Sequence, residues 1–274
     1  MLFMKAIFLG SRFFHKSILS ILLSLFLAGF TSVCHAETVF KVAYENASQF
    51  PNYLGDTSKV LKKPGASVEL IKLLEQEIPD LKIELYRCPW KQCLLKLKAG
   101  EIDGAFNGSF TKARLDVGTY PWKNGAVDDT RRLTTMSYHF YKLKGSPFSW
   151  DGIKVSGLKG QIGTPLAFSI ENDLKNMGLN ILSAREIQVN FSNLLRKKVD
   201  AIALQSVTGD YHISTKSGLS SVEKVQPELK TKAYYLMLSK QFYELNPELS
   251  EKIWDTIAKL REERLKSLVE SYFE

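Results

Sequence analysis

The sequence predicts an α/β protein with two similar lobes. Strand-like and helix-like segments alternate along residues 39–106, which is the pattern of parallel β-α-β units. The same order of segments begins again near residue 158. In addition, residues 97–107 resemble residues 194–204, because each stretch runs from a helix end through a turn into an aspartate and a buried strand. Such units are common, so coincidence is the alternative to a second lobe.

The elements of the predicted first lobe follow from hydrophobic periodicity. Alternating apolar and polar residues predict strands, and a spacing of about 3.6 residues predicts helices. Gly100 is suited to end a helix, since glycine readily adopts the left-handed conformation found there. The predicted strands are 39–44, 81–86 and 102–106, and the predicted helices are 66–78 and 90–99.

The remaining elements are predicted in the same way. Asp103 and Asp200, the aspartates of the recurring unit, are expected to stabilise turns rather than contact a ligand. The predicted helices are 169–177, 191–198 and 247–273, and the predicted strands are 199–204 and 233–238.

Polar residues follow two of the buried strands. The strand 102–106 leads into the polar stretch 107–114, and the strand 199–204 leads into Gln205 and Ser206. Ligands of open α/β sheets bind beyond the carboxyl ends of the strands. One polar strand end in each lobe therefore predicts a cleft that both lobes close.

The first 36 residues have the three parts of a secretory signal peptide. Lys5, Arg12 and Lys16 form a basic start, residues 18–30 are apolar, and Cys34-His35-Ala36 predicts cleavage after Ala36. The apolar run is shorter than the roughly 20 residues that span a bilayer. We therefore expect an exported, periplasmic protein, with an uncleaved N-terminal anchor as the alternative.

The positive charge of the chain does not indicate a nucleic-acid partner. The 274-residue chain has a formal net charge of +8, and three of its cations but none of its acids precede residue 37. The remaining surplus of +5 is scattered and often adjoins acids, as in residues 261–264. Scattered charge is typical of solvated surfaces, whereas a nucleic-acid site needs a basic stripe.

Cys88 and Cys93 remain after residue 36. An oxidising compartment favours a disulfide between them, which would close the short loop before the helix 90–99. Two free buried thiols or a redox pair are the alternatives, although a redox pair more often has two intervening residues. His139 and His212 lack the spacing of metal ligands, so neither a metal nor another cofactor is expected.

Three stretches of the sequence resemble one known family. Residues 65–114, 156–169 and 198–205 are similar to the type II periplasmic solute-binding proteins of ABC transporters, in the polar amino-acid-binding branch called extracellular solute-binding protein family 3. The resemblance implies two lobes joined by two crossing hinge strands, near 136–141 and 232–236. It divides the chain into the signal peptide 1–36, a discontinuous lobe 1 of residues 37–138 and 236–274, and an inserted lobe 2 of residues 139–235.

The resemblance also implies a set of ligand-binding residues. Arg114 matches the arginine that binds the ligand carboxylate, a role that suits a permanently charged, bidentate guanidinium. Each match has a structural alternative: a surface arginine for Arg114, and turn capping, core packing or an isolated surface charge for the others. The other matching residues are Asn107, Ser109 and Thr111 beside the arginine, Trp90 as an aromatic wall, Glu45 as a polar contact, and Phe168 and Ser169 in a loop that caps the carboxylate.

Gln205 departs from the pattern of the family. Relatives that bind α-amino acids have an acid at this position, where it holds the ammonium group. Glutamine accepts a hydrogen bond but supplies no charge, and a charged partner is worth more. We therefore expect the ligand to be an amino acid, an amino-acid derivative, an organic acid or another small polar metabolite.

The leading hypothesis is an exported binding protein that closes on a small polar ligand by hinge motion. Its expected partners are that ligand and an inner-membrane ABC permease or a sensor, and we expect a monomer. The sequence contains no nucleophile–histidine–acid set, zinc motif or phosphate loop, so no enzyme is expected. The alternatives are a dehydratase-like periplasmic enzyme with Glu45 as its acid or base, and a sensor or adaptor without a transport role.

Overall fold

One large mixed sheet organises the described part of this computed structural model, residues 37–274. The predicted signal peptide and its cleavage site lie outside these residues. The strands are β1 (Thr38–Glu45), β2 (Leu81–Cys88), β3 (Gly104–Ser109), β4 (Trp122–Lys123), β5 (Ala126–Val127), β6 (Thr134–Leu143), β7 (Ser149–Trp150), β8 (Val155–Ser156), β9 (Ile162–Pro165), β10 (Ile181–Ala184), β11 (Ala201–Gln205), β12 (Val222–Lys224) and β13 (Lys230–Leu238).

Helices cover the sheet. No helix within residues 37–274 is both long and apolar enough to cross a membrane. The helices are α1 (Ala66–Lys72), α2 (Leu74–Glu77), α3 (Trp90–Ala99), α4 (Ser169–Asn176), α5 (Ile187–Leu195), α6 (Ser206–Thr215), α7 (Lys240–Leu245), α8 (Pro247–Leu260) and α9 (Lys266–Glu270). Short 3-10 turns occupy Lys112–Asp116, Asp129–Arg131 and Ser217–Leu219, and Arg261–Leu265 is π-helical.

The strand order confirms the α/β class. The main sheet runs β10-β9-β11-β6-β13-β3-β1-β2, and β12 adds to β6. Both ends of this order are parallel, with β1 between β2 and β3 and with β9 between β10 and β11. The middle is antiparallel. Two parallel β-α-β regions are therefore joined through the central strands β6 and β13.

Four apolar clusters lie on the sheet. The buried members of two clusters come from residues 40–133 and 235–260, and those of the other two come from residues 136–234. Strand β6 pairs with β11 of one region, strand β13 pairs with β3 of the other, and β6 and β13 pair with each other. These two strands contain the predicted crossings. The division into lobe 1 and lobe 2 at 138/139 and 235/236 remains a prediction, which the separation of the clusters supports.

Several boundaries differ from the sequence-based expectations. The helix expected at 191–198 is α5, which begins and ends earlier, and Lys197 has a left-handed φ of 55° that stops it. The single helix expected at 66–78 is divided into α1 and α2. Helix α6, directly after β11, was not expected from the sequence.

The two recurring aspartates have matching structural roles. Asp103 Oδ2 accepts a hydrogen bond from the Lys41 backbone N–H at 2.7 Å. Asp200 Oδ2 accepts hydrogen bonds from the backbone N–H groups of Lys159 and Gly160, at 2.7 and 2.6 Å. Each carboxylate therefore connects its turn to a distant segment of the same lobe, and neither lines the cleft described below.

A disulfide joins Cys88, at the end of β2, to Cys93, in the first turn of α3. Both side chains are buried in the cluster that also contains Trp90. The bond closes a six-residue loop, and it connects the end of the edge strand β2 to the helix that carries Trp90.

We expect the disulfide to raise the free energy of unfolding by about 2 kcal/mol, because a short closed loop lowers the entropy of the unfolded chain. Urea unfolding of residues 37–274 should show that reduction lowers the free energy of unfolding of the wild type by this amount. The Cys88→Ala/Cys93→Ala variant is the control, and reduction should leave its stability unchanged. Equal stabilities of the oxidised and reduced wild type would contradict the expectation.

Candidate ligand-binding cleft

A buried cavity, here called the cleft cavity, lies where residues of the two predicted lobes meet. Every site residue predicted from the sequence lines it, except Thr111. The remaining lining residues were not predicted. The full set is Glu45, Gln49, Tyr53, Trp90, Asn107, Ser109, Arg114, Tyr138, Phe168, Ser169, Gln205 and Tyr234.

Strand ends bring these side chains together. Glu45 is the last residue of β1, Ser109 is the last residue of β3, and Gln205 is the last residue of β11. These strands belong to parallel pairs, so their carboxyl ends point to the same edge of each region. The expectation of one polar strand end per lobe is met by Ser109 and Gln205.

Arg114 is buried, with an exposure of 7%, and bonds only to neutral groups. Its Nη1 donates to the Ser109 carbonyl at 2.6 Å and to Ser109 Oγ at 3.3 Å, and its Nη2 donates to the Ala167 carbonyl at 3.0 Å. The guanidinium carbon lies 5.4 Å from the centre of the Trp90 ring, within the range of a cation–π contact. Within residues 37–274, no carboxylate forms an ion pair with Arg114.

Two hydroxyl groups connect the predicted lobes beside Arg114. Ser109 Oγ donates to Ser169 Oγ at 2.6 Å. Lys232 Nζ, on β13, donates to the same Ser169 oxygen at 2.8 Å. Ser169 is the first residue of α4, so one short contact connects the end of β3 with the start of a helix in lobe 2.

Glu45 is the acidic group of the cleft cavity. Its Oε2 accepts hydrogen bonds from Gln49 Nε2 at 2.9 Å and from the Tyr53 hydroxyl at 3.2 Å. Burial raises the pKa of Glu45 to about 7, against the opposing effects of these two hydrogen bonds and of the Arg87 charge. Near neutral pH the carboxyl is therefore close to half protonated, and it can either donate or accept a hydrogen bond.

Gln205 contacts a pair of tyrosines from the crossing strands. Its Nε2 donates to the Tyr234 hydroxyl at 2.9 Å, and the Tyr138 and Tyr234 hydroxyls lie 2.7 Å apart. Burial raises the pKa of both tyrosines, so both remain neutral donors and acceptors. Gln205 is thus part of a neutral chain of hydrogen bonds.

Asn107 presents an unsatisfied amide to the cleft cavity. The residue is buried, and its backbone has a left-handed φ of 60° that asparagine tolerates. Within the described residues, neither its Oδ1 nor its Nδ2 has a hydrogen-bond partner. Buried polar groups are rarely left unpaired, so this amide is suited to one donor and one acceptor of a ligand.

Thr111 has a different position. It precedes the 3-10 turn Lys112–Asp116, and its carbonyl accepts a hydrogen bond from the Arg114 backbone N–H at 3.0 Å. It is half-buried and does not line the cleft cavity. Its predicted contact with a ligand remains a prediction, while its backbone shapes the turn that carries Arg114.

Four lining residues were missed from the sequence. Tyr138 and Tyr234 lie within the two predicted crossings, so a search for polar aromatic residues in those strands could have found them. Gln49 and Tyr53 lie in the loop after β1, where they contact Glu45. No motif distinguishes these two positions in the sequence.

The two walls of the cleft cavity lie close together. Its volume of about 10 Å³ is close to the space that one water molecule needs. The side chains of Ser109, Ser169 and Arg114 are hydrogen-bonded in a row, and Arg114 also donates to the Ala167 carbonyl. A ligand larger than water can therefore enter only if the walls separate and some of these contacts are exchanged.

Known proteins share this fold at low sequence identity. The ligand-binding core of GluR0 from Nostoc punctiforme, solved with L-glutamate, is 17% identical, with a TM-score of 0.65 over 85% of this chain and 99% of its own. The amino acid ABC transporter substrate-binding protein AbpA from Streptococcus pneumoniae, bound to L-arginine, is 19% identical, with a TM-score of 0.65 over 86% of this chain and 94% of its own.

A histidine kinase sensor domain with similarity to periplasmic binding proteins is 15% identical, with a TM-score of 0.67 over 86% of this chain and 96% of its own. No family model and no curated protein matches the sequence. The two-lobed fold of periplasmic binding proteins, expected from the three resembling stretches, is therefore confirmed. At these identities the likeness extends to the fold alone.

The raised pKa of Glu45 predicts a pH-dependent effect of Glu45→Gln on stability. Because the folded pKa of about 7 exceeds the ordinary value of 4.5, folding favours the protonated carboxyl. The associated stability is present below pH 4.5 and is lost as the pH rises through 7. The variant should therefore be more stable than the wild type at pH 8, by about 2–3 kcal/mol, and nearly equal at pH 4.5.

Urea unfolding of both proteins between pH 4.5 and pH 8 measures this difference. Glu84→Gln, at an exposed position of β2, is the matched control. The stability of this variant relative to the wild type should not change between pH 4.5 and pH 8 as that of Glu45→Gln does. If the free energies of unfolding of Glu45→Gln and the wild type differ by the same amount at pH 4.5 and at pH 8, the expectation is contradicted.

Proposed function

We propose that this protein binds a small ligand carboxylate between its two lobes, with Arg114 as the principal contact. The observation that carries the proposal is a buried guanidinium that is paired only with neutral acceptors. A buried charge is costly without a counter-charge. A ligand carboxylate would supply that counter-charge and would match the planar guanidinium with two parallel hydrogen bonds.

The rest of the cleft supports the same ligand class. The hydroxyls of Ser109 and Ser169 lie beside Arg114, where they would donate to carboxylate oxygens. Asn107 has a free amide, and Trp90 and Phe168 provide apolar walls. The site thus combines a few fixed polar groups with aromatic surface, as small-molecule sites commonly do.

We further propose that the protein is an exported solute-binding protein, which delivers its ligand to an inner-membrane ABC permease or to a sensor. The predicted signal peptide, with cleavage after Ala36, supports a periplasmic location. The AbpA and GluR0 structures support amino-acid-like ligands, and the histidine kinase sensor domain supports the sensing alternative. The protein acts as a monomer and without nucleic acid in this proposal.

The ligand class extends beyond ordinary amino acids. Gln205 provides no negative charge for an α-ammonium group, and its amide nitrogen is already bonded to Tyr234. An organic acid or an amino-acid derivative therefore fits the lobe 2 wall as well as an amino acid does. Hinge motion of β6 and β13 would open the walls, and the ligand would replace the direct contact between Ser109 and Ser169.

A catalytic role is the second candidate, because Glu45 has the pKa of about 7 that suits a general acid or base. The cleft cavity contains no nucleophile paired with a histidine and an acid among the described residues. We therefore propose binding without catalysis. Turnover of any bound ligand that Glu45→Gln abolishes would reverse this choice in favour of a dehydratase-like enzyme.

Replacement of Arg114 tests the binding proposal. A thermal-shift panel of amino acids, amino-acid derivatives, and mono- and dicarboxylates should contain at least one compound that stabilises the wild type. Calorimetry with that compound should show a dissociation constant at least about thirtyfold higher for Arg114→Ala, since a buried charge pair is lost. Arg114→Lys should recover only part of the affinity, because lysine cannot bind the carboxylate bidentately.

Arg196→Ala is the matched control, since Arg196 is an exposed arginine of lobe 2 outside the cleft cavity. It should bind the compound as the wild type does. Unchanged affinity in a folded Arg114→Ala protein would place the ligand elsewhere, and a panel without any binder would contradict the proposed function.

A further inference from the structure

A larger cavity, here called the side cavity, adjoins the cleft cavity. Ser109 lines both. The side cavity has a volume of about 530 Å³, which lies in the usual range of small-molecule sites. Phe110 and Trp122 form its apolar wall, and Lys112 and Lys232 lie among its charged groups. The space that the cleft cavity lacks is therefore present next to Ser109, the residue that both cavities share.

Lys232 is unusually buried for a lysine. Its side chain is 9% exposed, and its Nζ pairs with Asp173 and donates to Ser169 Oγ at 2.8 Å. Burial lowers the pKa of Lys232, and the hydrogen bond and charge of Asp173 oppose that effect. A lysine is rarely buried to this extent unless its ammonium has a specific partner.

Lys232 and Arg114 converge on the same two hydroxyls. Arg114 Nη1 donates to Ser109 Oγ, which donates to Ser169 Oγ, and Lys232 Nζ donates to that same Ser169 oxygen. Three hydrogen bonds thus connect a guanidinium of the cleft cavity with an ammonium of the side cavity. Two separate anionic groups on one small molecule could reach both cations.

Positive charge exceeds negative charge around these two cavities. The cations are Arg114 and three lysines of the side cavity, and the acids are Glu45, Asp129 and Asp173. Asp173 is shared between Lys232 and Lys230, while Asp129 accepts a hydrogen bond from the Tyr235 hydroxyl. Lys112 forms no ion pair within residues 37–274. The formal surplus is two positive charges when Glu45 is protonated and one when it is ionised, so the two cavities together favour an anionic ligand.

We propose that the ligand is a small dicarboxylate that spans Ser109, with one carboxylate on Arg114 and the other on Lys232 in the side cavity. This inference rests on the proposed function, since it requires that Arg114 bind the first carboxylate. It also accounts for Gln205, because a dicarboxylate has no ammonium group that needs an acid. Lys232 becomes the residue that distinguishes dicarboxylates from monocarboxylates.

Calorimetry with matched acids tests the inference. The dicarboxylates are succinate, glutarate and adipate, and the monocarboxylates are butanoate, pentanoate and hexanoate, in which a methyl group replaces the second carboxylate. At fixed ionic strength, at least one dicarboxylate should bind the wild type tenfold or more tightly than its matched monocarboxylate. Lys232→Met should raise the dissociation constant of that dicarboxylate at least tenfold and change that of the monocarboxylate less than twofold.

Lys175→Met is the matched control. Lys175 lies on α4, pairs with Glu171 and lines neither cavity, and its side chain is 56% exposed. This variant should change neither dissociation constant more than twofold. Thermal unfolding first establishes that each variant is folded, and the wild-type comparison needs no variant at all.

Each failure has a distinct meaning. The dicarboxylate inference is overturned if the wild type binds matched mono- and dicarboxylates equally. It is also overturned if Lys232→Met loses the same affinity for both acids. The absence of binding by all three dicarboxylates overturns it as well. In each of these cases the proposed function survives if another carboxylate of the panel binds and Arg114→Ala abolishes that binding.

Discussion

The buried guanidinium of Arg114 is the constraint on which the cleft depends. Its hydrogen bonds reach Ser109 at the end of β3 and Ala167 in the loop before α4, so a single side chain contacts both predicted lobes. The Trp90 ring lies against it, and the disulfide between Cys88 and Cys93 fixes the start of the helix that carries Trp90. A buried, permanently charged guanidinium that has only neutral acceptors is stabilised when a bound anion supplies a counter-charge.

The sheet explains how two lobes can move around that charge. Strands β6 and β13 pair with each other and join the two regions, and the buried members of each apolar cluster come mainly from one predicted lobe. The contacts across the cleft include the polar ones of Arg114 and the Ser109–Ser169 pair. They also include a stacked Phe50–Tyr211 pair and the packing of Phe168 against the cluster that contains Trp90. Polar contacts of this kind exchange readily for ligand contacts, whereas a continuous apolar core would hold the lobes together.

The sequence predicted the parts of the site that lie in local patterns. Helix α3 has the predicted bounds, and the predicted strand 102–106 overlaps β3, whose end leads into the turn that carries Arg114. Lys232 and Tyr234 were missed because an alternating strand pattern does not show which face meets the cleft. Their roles arise from contacts with Ser169 and Gln205, which are distant along the chain and come together only in the fold.

A distance measurement between the lobes tests the central claim that a carboxylate on Arg114 closes the cleft. Spin labels at the exposed positions Leu245, in lobe 1, and Ile153, in lobe 2, report that distance by pulsed electron paramagnetic resonance. A carboxylate that binds the wild type should narrow the distance distribution to one short population, and it should leave Arg114→Ala unchanged. A bound carboxylate that leaves the wild-type distribution unchanged, or shifts both proteins equally, would contradict the account.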